Sequence, residues 1–134
     1  MLARLWRLAA GAVLALAVMV TFSLLVPGGN GALAQEVRSA PGAVLRGLDK
    51  LAGQSRDLEL QVGASAMLGT LRVTLAECRY PPDNPSGEAY AWVTILDERR
   101  GEVLFDGWMV ATSPALHALD HARYDVWVLT CKTS

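Results

Sequence analysis

The stretch LRVTLAEC, residues 71–78, indicates the fold class and the place of a cysteine within it. Its first five residues alternate strictly between apolar and polar, and this period of two is typical of a half-buried β-strand. If the alternation continued, Glu77 would lie in the core and the thiol of Cys78 would face the solvent. We therefore predict a β-bulge near Ala76 and Glu77, which would reverse the phase and turn Cys78 inward.

The flanking segments predict further strands. Residues 58–62 alternate in the same way, whereas residues 90–96 and 124–131 are apolar on both parities, as in a central strand that is covered on both faces. Residues 43–51 fit either a helical stripe or a strand. Gly47 within this segment favours a short strand that pairs with the next one.

Turn signals separate these strands. Residues 80–87 contain three prolines and predict a loop. Residues 97–101 (DERRG) predict a hairpin connection, in which Gly101 can adopt a positive φ. Asp106 and Gly107 predict a second turn, which would divide the β segment after the hairpin into two strands.

One short helix is expected immediately before the last strand, from Pro114 to His121. Thr112 or Ser113 can cap this helix, and proline suits its first position. The complete pattern of short strands and turns predicts a mainly β fold: a small single-domain antiparallel sandwich or partly open barrel with one short helix before the last strand.

The N-terminal residues 1–34 are typical of a Sec-type signal peptide. A short basic region with two arginines precedes the uncharged run 8–26, and Ala32-Leu33-Ala34 is a signal-peptidase motif that predicts cleavage before Gln35. The uncharged run is also long enough to span a bilayer, so the alternative is an uncleaved inner-membrane anchor. Both interpretations predict that the rest of the chain is in the periplasm.

Cleavage would leave a flexible lead-in, residues 35–42, followed by one β domain, residues 43–134. Removal of Arg4 and Arg7 leaves 10 basic and 13 acidic residues, which gives a net charge of −3. The charges are interspersed without a basic stripe. This argues against nucleic acid as a partner and against a membrane-surface role, unless the N-terminal segment is retained as an anchor.

Cys78 and Cys131 are the two cysteines of the chain. An even pair in an exported protein predicts one disulfide. Redox pairs and metal thiolates usually have closely spaced cysteines, as in C-x-x-C, whereas these two lie far apart. Closing a loop of just over fifty residues is expected to stabilise the fold by about 4 kcal/mol.

His117 and His121 lie four residues apart, so both can face one side of the predicted helix and share a metal. With Asp120 they read H-x-x-D-H, one methylene short of the inverzincin motif. The alternative is that His117 is a solvated surface residue and that the imidazole of His121 interacts with the dipole at the helix end. A short helix in a small β domain offers little room for a third ligand and a cleft. The sequence therefore favours the structural interpretation, and no cofactor is expected.

Asp125 shares strand parity with Cys131, so its carboxylate is expected to point toward the core and to need a partner. His121 or Arg123 could supply this partner and form a polar lock at the start of the last strand. A His–Asp couple could also activate Ser113 as a nucleophile. No G-x-S-x-G motif surrounds this serine, and its hydroxyl is expected to bond backbone N–H groups, so we predict that the protein is not an enzyme.

Three tryptophans of the β domain, Trp92, Trp108 and Trp127, could form an aromatic platform for a sugar or a peptide. At this domain size tryptophans more often fill the core, because each buries a large apolar area. Trp108 lies next to the predicted Asp106-Gly107 turn and is expected to be the most exposed of the three.

Three segments carry a family resemblance: LRGLDKLAG (45–53), GTLRVTLAECRYPP (69–82) and FDGWMVATSPALHALDHARYDVWVLTC (105–131). They look like the alphaproteobacterial domain-of-unknown-function family 2155, and the likeness extends from about residue 43 to residue 132. Its most specific parts are W-M-x-A-x-S-P-A-L and Y-D-V-W-V-L-x-C. The family often has proline after the second histidine, where this chain has Ala122, which loosens the turn before the last strand.

The resemblance implies a short exported protein with a disulfide between Cys78 and Cys131, and it implies no activity, because the family has none assigned. Family members often lie in the genome near a small accessory subunit of respiratory complex I, which gives context for a partner but no function. The sequence therefore predicts a periplasmic, non-catalytic β domain that binds another component of the cell envelope. The alternative is a small-ligand or metal-binding module that uses His117 and His121.

Overall fold

The computed structural model of the protein describes residues 36–134. The predicted signal peptide, including the cleavage-site residues Ala32, Ala34 and Gln35, lies outside the described residues. Within residues 36–134, no helix is long and apolar enough to cross a membrane.

The described chain forms eight β-strands in two antiparallel sheets. The strands are β1 (Arg38–Ala40), β2 (Gly42–Asp49), β3 (Gln54–Gln61), β4 (Ser65–Leu68), β5 (Leu71–Tyr80), β6 (Tyr90–Asp97), β7 (Glu102–Val110) and β8 (Tyr124–Lys132). The larger sheet has the order β1-β5-β6-β7, with β4 also paired to β5, and the smaller sheet has the order β3-β2-β8.

The two sheets share a single apolar core. The pairings among the described strands leave the sheets separate and do not close a barrel. Side chains that are fully buried come from both sheets: Leu45, Leu71, Val73, Leu75, Val93, Ile95, Val126 and Val128. The mainly β, antiparallel fold class is therefore confirmed.

The bulge predicted in residues 71–78 is also confirmed. The apolar residues of the alternation are completely buried, and the pairing of β5 with β6 shifts register between Leu75 and Glu77. Ala76 is the extra residue, so Ala76 and Glu77 both face the solvent. The side chain of Cys78 returns to the core and is 1% exposed.

A second bulge precedes the other cysteine. The pairing of β2 with β8 shifts register between Val44 and Leu45, which leaves Leu129 as the extra residue of β8. This bulge turns Cys131 into the core, while Asp125 stays on the outer face. The expectation that the Asp125 carboxylate points toward the core with Cys131 is therefore wrong, because the bulge separates the two residues in phase.

The two inward cysteines form the predicted disulfide. Cys78 and Cys131 are bonded, their Cα atoms are 5.8 Å apart, and 53 positions separate them in the sequence. Since β5 and β8 belong to different sheets, the bond links the two layers across the core.

The segment expected to be a flexible lead-in contains an ordered strand. In β1, Arg38 pairs with Tyr80 and Ala40 pairs with Cys78, so the backbone extends the larger sheet along β5. The side chain of Ala40 is buried. The strand expected over residues 43–51 is present as β2, and it pairs along its whole length with β3.

The predicted helix from Pro114 to His121 is absent: the described residues between β7 and β8 form turns and bends. We refer to residues 111–123 as the β7–β8 loop. Two helical turns would gain few hydrogen bonds against the cost of nucleation, so a helix here would need a buried apolar face. Leu119 is buried, but Leu116 is 76% exposed, so the segment does not bury an apolar face of this kind.

The hairpin connection over residues 97–101 is confirmed. Gly101 has a φ of 63°, and its N–H donates to the carbonyl oxygen of Asp97 at 2.8 Å. The second turn, at Asp106 and Gly107, is not formed, and β7 continues through both residues. A side chain at Gly107 would collide with the imidazole of His117, which lies over this part of β7.

Candidate binding surface

The two histidines of the β7–β8 loop do not face each other across a shared site. Nδ1 of His117 lies 3.0 Å from the carbonyl oxygen of Trp108, and the ring contacts Phe105 with 4.5 Å between centroids. His117 thus attaches the loop to β7. The helix that would have aligned it with His121 is missing, so the metal-binding geometry that we considered as the alternative for their spacing is not formed.

His121 organises the beginning of β8. Its Nδ1 accepts hydrogen bonds from the backbone N–H groups of Arg123, at 3.0 Å, and Tyr124, at 3.1 Å. Asp120 is exposed beside it. In residues 36–134, no group of three or more His, Cys, Asp or Glu side chains is arranged to hold a metal ion.

The expected pairing of the Asp125 carboxylate with His121 or Arg123 is not formed. Oδ1 of Asp125 accepts a hydrogen bond from the N–H of Val126 at 2.9 Å. Arg123 pairs instead with Asp49 at the end of β2, where Nη2 lies 3.0 Å from Oδ2. The start of β8 is therefore held by a residue 74 positions away, which the local sequence does not indicate.

Asp49 receives several hydrogen bonds at once. Its carboxylate accepts from the guanidinium of Arg123 and from the N–H groups of Ala52 and Leu51. The hydrogen bond from Arg123 is the largest cause of a lowered pKa of Asp49, and the backbone bond from Ala52 follows. The ionised carboxylate thereby joins the β2–β3 turn to β8.

Ser113 lies in an exposed turn. Its N–H donates to the carbonyl oxygen of Val110 at 3.2 Å, and its carbonyl oxygen accepts from the N–H of Leu116 at 3.0 Å. Within the described chain, no histidine or carboxylate is hydrogen-bonded to its hydroxyl group. The arrangement of a nucleophile with a base is not formed at this serine.

The tryptophans occupy the outer faces of the sheets rather than the core. Trp92, Trp108 and Trp127 are all half-buried, and the expectation that Trp108 is the most exposed of the three stays a prediction. Trp92 on β6 and Trp108 on β7 are cross-strand partners on the larger sheet. Their ring centroids are 5.4 Å apart and the ring planes meet at 86°, the edge-to-face geometry that aromatic pairs favour.

Polar neighbours fix both indole rings. Asp106 accepts hydrogen bonds from Nε1 of Trp92 at 2.8 Å and from Oγ1 of Thr94 at 2.9 Å. The guanidinium carbon of Arg79 lies 5.2 Å from the ring centroid of Trp108, within the range of a cation–π interaction. Glu77 in turn holds Arg79 with an ion pair of 2.7 Å.

These residues form one surface on the outer side of the larger sheet. A shallow depression of about 330 Å³ adjoins it and is lined by Val37, Arg79, Tyr90 and Trp108. We refer to Arg79, Tyr90, Trp92 and Trp108 together as the tryptophan face. Tyr90 shares the face of Trp92 because the two residues lie two positions apart on β6, whereas Arg79 joins them only through the pairing of β5 with β6.

Comparisons with known proteins agree with the resemblance in the sequence. Residues 43–131 match a family model described as an uncharacterized protein conserved in bacteria, DUF2155. An uncharacterized protein of Rickettsia prowazekii (strain Madrid E) is 28% identical over 87 residues, which cover 63% of this chain and 56% of the relative. The chain thus spans about half the length of this curated relative. No solved structure matches the chain.

The family match covers most of the structure described above. It begins in β2 and ends at Cys131, so it includes the disulfide, the β7–β8 loop and the tryptophan face. The description of the family names no activity. The chain belongs to the DUF2155 family of conserved bacterial proteins.

Proposed function

We propose that this protein is an exported, non-catalytic β domain of the periplasm that binds a protein partner in the cell envelope through the tryptophan face. The observation that carries the proposal is the cluster of Trp92, Trp108 and Arg79 on the outer side of the larger sheet. Tryptophan and arginine are enriched among the residues that dominate the binding energy of protein interfaces.

The cluster is ordered before any partner binds. Trp92 is held by Asp106, and Arg79 is held between Glu77 and the ring of Trp108. Side chains that are already fixed lose less conformational entropy on association, so more of their contact energy appears as affinity. The geometry therefore favours a preformed binding surface.

A protein partner fits this surface better than a sugar. Stacking on a sugar uses an open ring face together with free polar groups beside it. Arg79 covers one face of Trp108, and the indole N–H of Trp92 already donates to Asp106. The partner most compatible with this surface is a protein that inserts apolar side chains beside the indoles.

The disulfide supports export, because such bonds persist in oxidising compartments such as the periplasm. Cleavage before Gln35 would release the domain, whereas a retained N-terminal segment would anchor it to the inner membrane with the domain in the periplasm. N-terminal sequencing of the protein purified from the native envelope separates these possibilities. A mature N-terminus at Gln35 supports release, and an intact N-terminus supports the anchor.

The binding proposal is tested with C-terminally tagged protein, purified from the native envelope after mild cross-linking. We expect a stoichiometric protein partner, and subunits of respiratory complex I are among the candidates to look for. The partner should be lost from Trp108→Ala and kept by Trp127→Ala. Trp127 is the matched control because it is the same residue type, also half-buried, on the other sheet.

Recovery of the partner by Trp127→Ala but not by Trp108→Ala, followed by rebinding of the two purified proteins, supports the proposal. Equal recovery with both variants contradicts the assignment to the tryptophan face. The absence of any stoichiometric partner from the wild-type protein contradicts the proposal as a whole.

A further inference from the structure

A second surface lies at the opposite end of β6 from the tryptophan face. The β6–β7 hairpin and the beginning of β8 enclose a cleft of about 350 Å³. The residues that line it are Thr70, Asp97, Arg99, Arg100, His121, Arg123 and Tyr124. We refer to it as the arginine cleft, because its lining contains three arginines and one acidic residue.

The single carboxylate of the lining is already occupied. Asp97 is 7% exposed, and its Oδ1 accepts hydrogen bonds from the N–H groups of Arg99, at 3.0 Å, and Arg100, at 3.4 Å. Its Oδ2 lies 3.9 Å from Nε of Arg100. Asp97 thus shapes the hairpin and leaves the cleft with an excess of positive charge.

The guanidinium of Arg99 has no ion-pair or hydrogen-bond partner among residues 36–134. Glu98 beside it is paired with Arg72. Arg123 is held by Asp49 through Nε and Nη2, which fixes its position and leaves the donors of Nη1 for another acceptor. The cleft therefore combines Arg99, whose guanidinium is unpartnered among the described residues, with Arg123, whose guanidinium is already held in place by Asp49.

His121 adds a neutral donor to the same lining. Its Nδ1 accepts two backbone hydrogen bonds, from Arg123 and Tyr124. This assigns the proton of the neutral ring to Nε2, on the other side of the imidazole. Together with the hydroxyl of Thr70, the lining offers hydrogen-bond donors of several geometries and few free acceptors.

We propose that the arginine cleft binds a phosphate group, carried either by a soluble envelope molecule or by a lipid headgroup. Guanidinium groups donate to phosphate oxygens in parallel pairs, which gives both affinity and geometric selectivity. The three arginines of the lining exceed the two carboxylates that pair with them, Asp97 and Asp49, by one. The cleft therefore keeps a positive charge that a phosphate can neutralise, whether as a diester with a charge of about −1 or as a monoester with about −1.5 to −2. A phosphomonoester also presents three acceptor oxygens to donors on several sides of the cleft, whereas a carboxylate presents two.

This inference does not depend on the proposed protein partner. Five positions separate Trp92 from Asp97 along β6, which corresponds to about 16 Å of extended strand. A substitution in the cleft can therefore be studied without altering the tryptophan face, and failure of one proposal leaves the other intact.

The test measures binding by isothermal titration calorimetry at low ionic strength, using the exported protein with its disulfide intact. Inorganic phosphate is titrated in one experiment and acetate in another. Arg99→Gln is expected to weaken phosphate binding by about tenfold, as for the loss of a charged hydrogen bond. The matched control is Arg38→Gln, which makes the same change in net charge at an exposed position on β1.

An equal loss of affinity in both variants would show unspecific charge attraction and overturn the proposal. Acetate binding as strong as phosphate binding, or no binding of phosphate by the wild-type protein, would also overturn it. Loss of phosphate binding in Arg99→Gln, with retention in Arg38→Gln and weaker acetate binding, supports it.

A vesicle arm distinguishes the two sources of phosphate. Vesicles of phosphatidylcholine with and without phosphatidylglycerol are sedimented with the wild-type and Arg99→Gln proteins. Retention on phosphatidylglycerol that requires Arg99 and is competed by inorganic phosphate supports a lipid headgroup. Binding of inorganic phosphate without retention on vesicles supports a soluble phosphorylated ligand.

Discussion

Trp92 lies opposite Trp108 because β7 contains one extra residue, Leu104. The register set by the hairpin turn would otherwise bring Gly107 opposite Trp92. The bulge at Leu104 moves the pairing by one position, so the two indole rings meet with 5.4 Å between their centroids. A one-residue shift in an antiparallel pair exchanges the faces of all later side chains, so the tryptophan face depends on this bulge.

The carboxylate of Asp106 should contribute measurably to stability. It accepts hydrogen bonds from Trp92 and Thr94, so Asp106→Ala is expected to lower the free energy of unfolding by about 1–2 kcal/mol. Urea unfolding followed by tryptophan fluorescence measures the change. Asp120→Ala is the control, since Asp120 is exposed, and its effect should stay within about 0.5 kcal/mol. Indistinguishable variants would contradict this role of Asp106.

The disulfide should contribute more than any single hydrogen bond. Replacing both Cys78 and Cys131 by alanine is expected to lower the free energy of unfolding by about 4 kcal/mol, because the bond closes a loop of 53 positions in the unfolded chain. Guanidinium unfolding of the double variant and of the oxidised wild type gives the difference. A loss below about 1 kcal/mol would show that the shared apolar core holds the two sheets together without the covalent bond.

Gly69 and Gly53 form a matched pair of positions, because both have a positive φ, 58° and 67°. A Cβ atom at Gly69 would overlap the hydroxyl and ring of Tyr124, which is buried, whereas nothing lies near Gly53. Gly53→Ala should cost about 1 kcal/mol of backbone strain. Gly69→Ala should cost about 3 kcal/mol, since overpacking is added to the strain.

Thermal unfolding of the two alanine variants measures this difference directly. Combining Gly69→Ala with Tyr124→Phe removes the hydroxyl and should recover part of the loss. Equal losses at the two glycines would contradict the close approach of Tyr124.

Glu88 should make the stability of the protein depend on pH in acid. Burial raises the pKa of Glu88, but the hydrogen bonds from the hydroxyl and N–H of Thr112 and from the N–H of Ala89 lower it by more, so the net pKa is lowered. The stabilisation is then fully present above the pKa of the unfolded chain, about 4.3, and is lost as the pH falls through the lower pKa of the folded protein.

Glu88→Gln should therefore flatten the decline in stability between about pH 5 and about pH 3. Chemical unfolding at a series of pH values measures this slope. Glu102→Gln is the control, because Glu102 is exposed at the start of β7, and its slope should match the wild type. A slope for Glu88→Gln that equals the control would show that Glu88 is not the responsible group.

The sequence predicted a structural feature correctly where the residues that determine it lie close together in the chain. The alternation in residues 71–75 and the position of Cys78 together predicted both the strand and its bulge. The Asp97–Gly101 connection was predictable because its glycine and charged residues suit a hairpin turn wherever it occurs. The same reasoning was wrong for residues 114–121, where cap signals were present but the apolar face needed to stabilise a short helix was not buried.

The candidate sites were predictable only in part. The sequence favoured core packing for Trp92, Trp108 and Trp127 and gave a binding platform as the alternative, whereas the structure places them half-buried on the outer faces of the sheets. It placed Arg99 and Arg100 in a hairpin connection but gave no sign that they line one cleft with Arg123. The partner of Arg123 is Asp49, and no local signal connects positions that are 74 residues apart.

The sequence by itself determined the antiparallel β class, the hairpin at residues 97–101 and the pairing of the two cysteines. The strand class and the hairpin follow from the side-chain period and from turn chemistry, which act within a few residues. The disulfide follows from the number of cysteines, because two thiols allow only one pairing. The tertiary structure decided the bulges at Leu104 and Leu129, the path of the β7–β8 loop and the two candidate surfaces. Those features depend on which strands lie side by side, and register between distant strands is set by packing of the shared core rather than by any single segment.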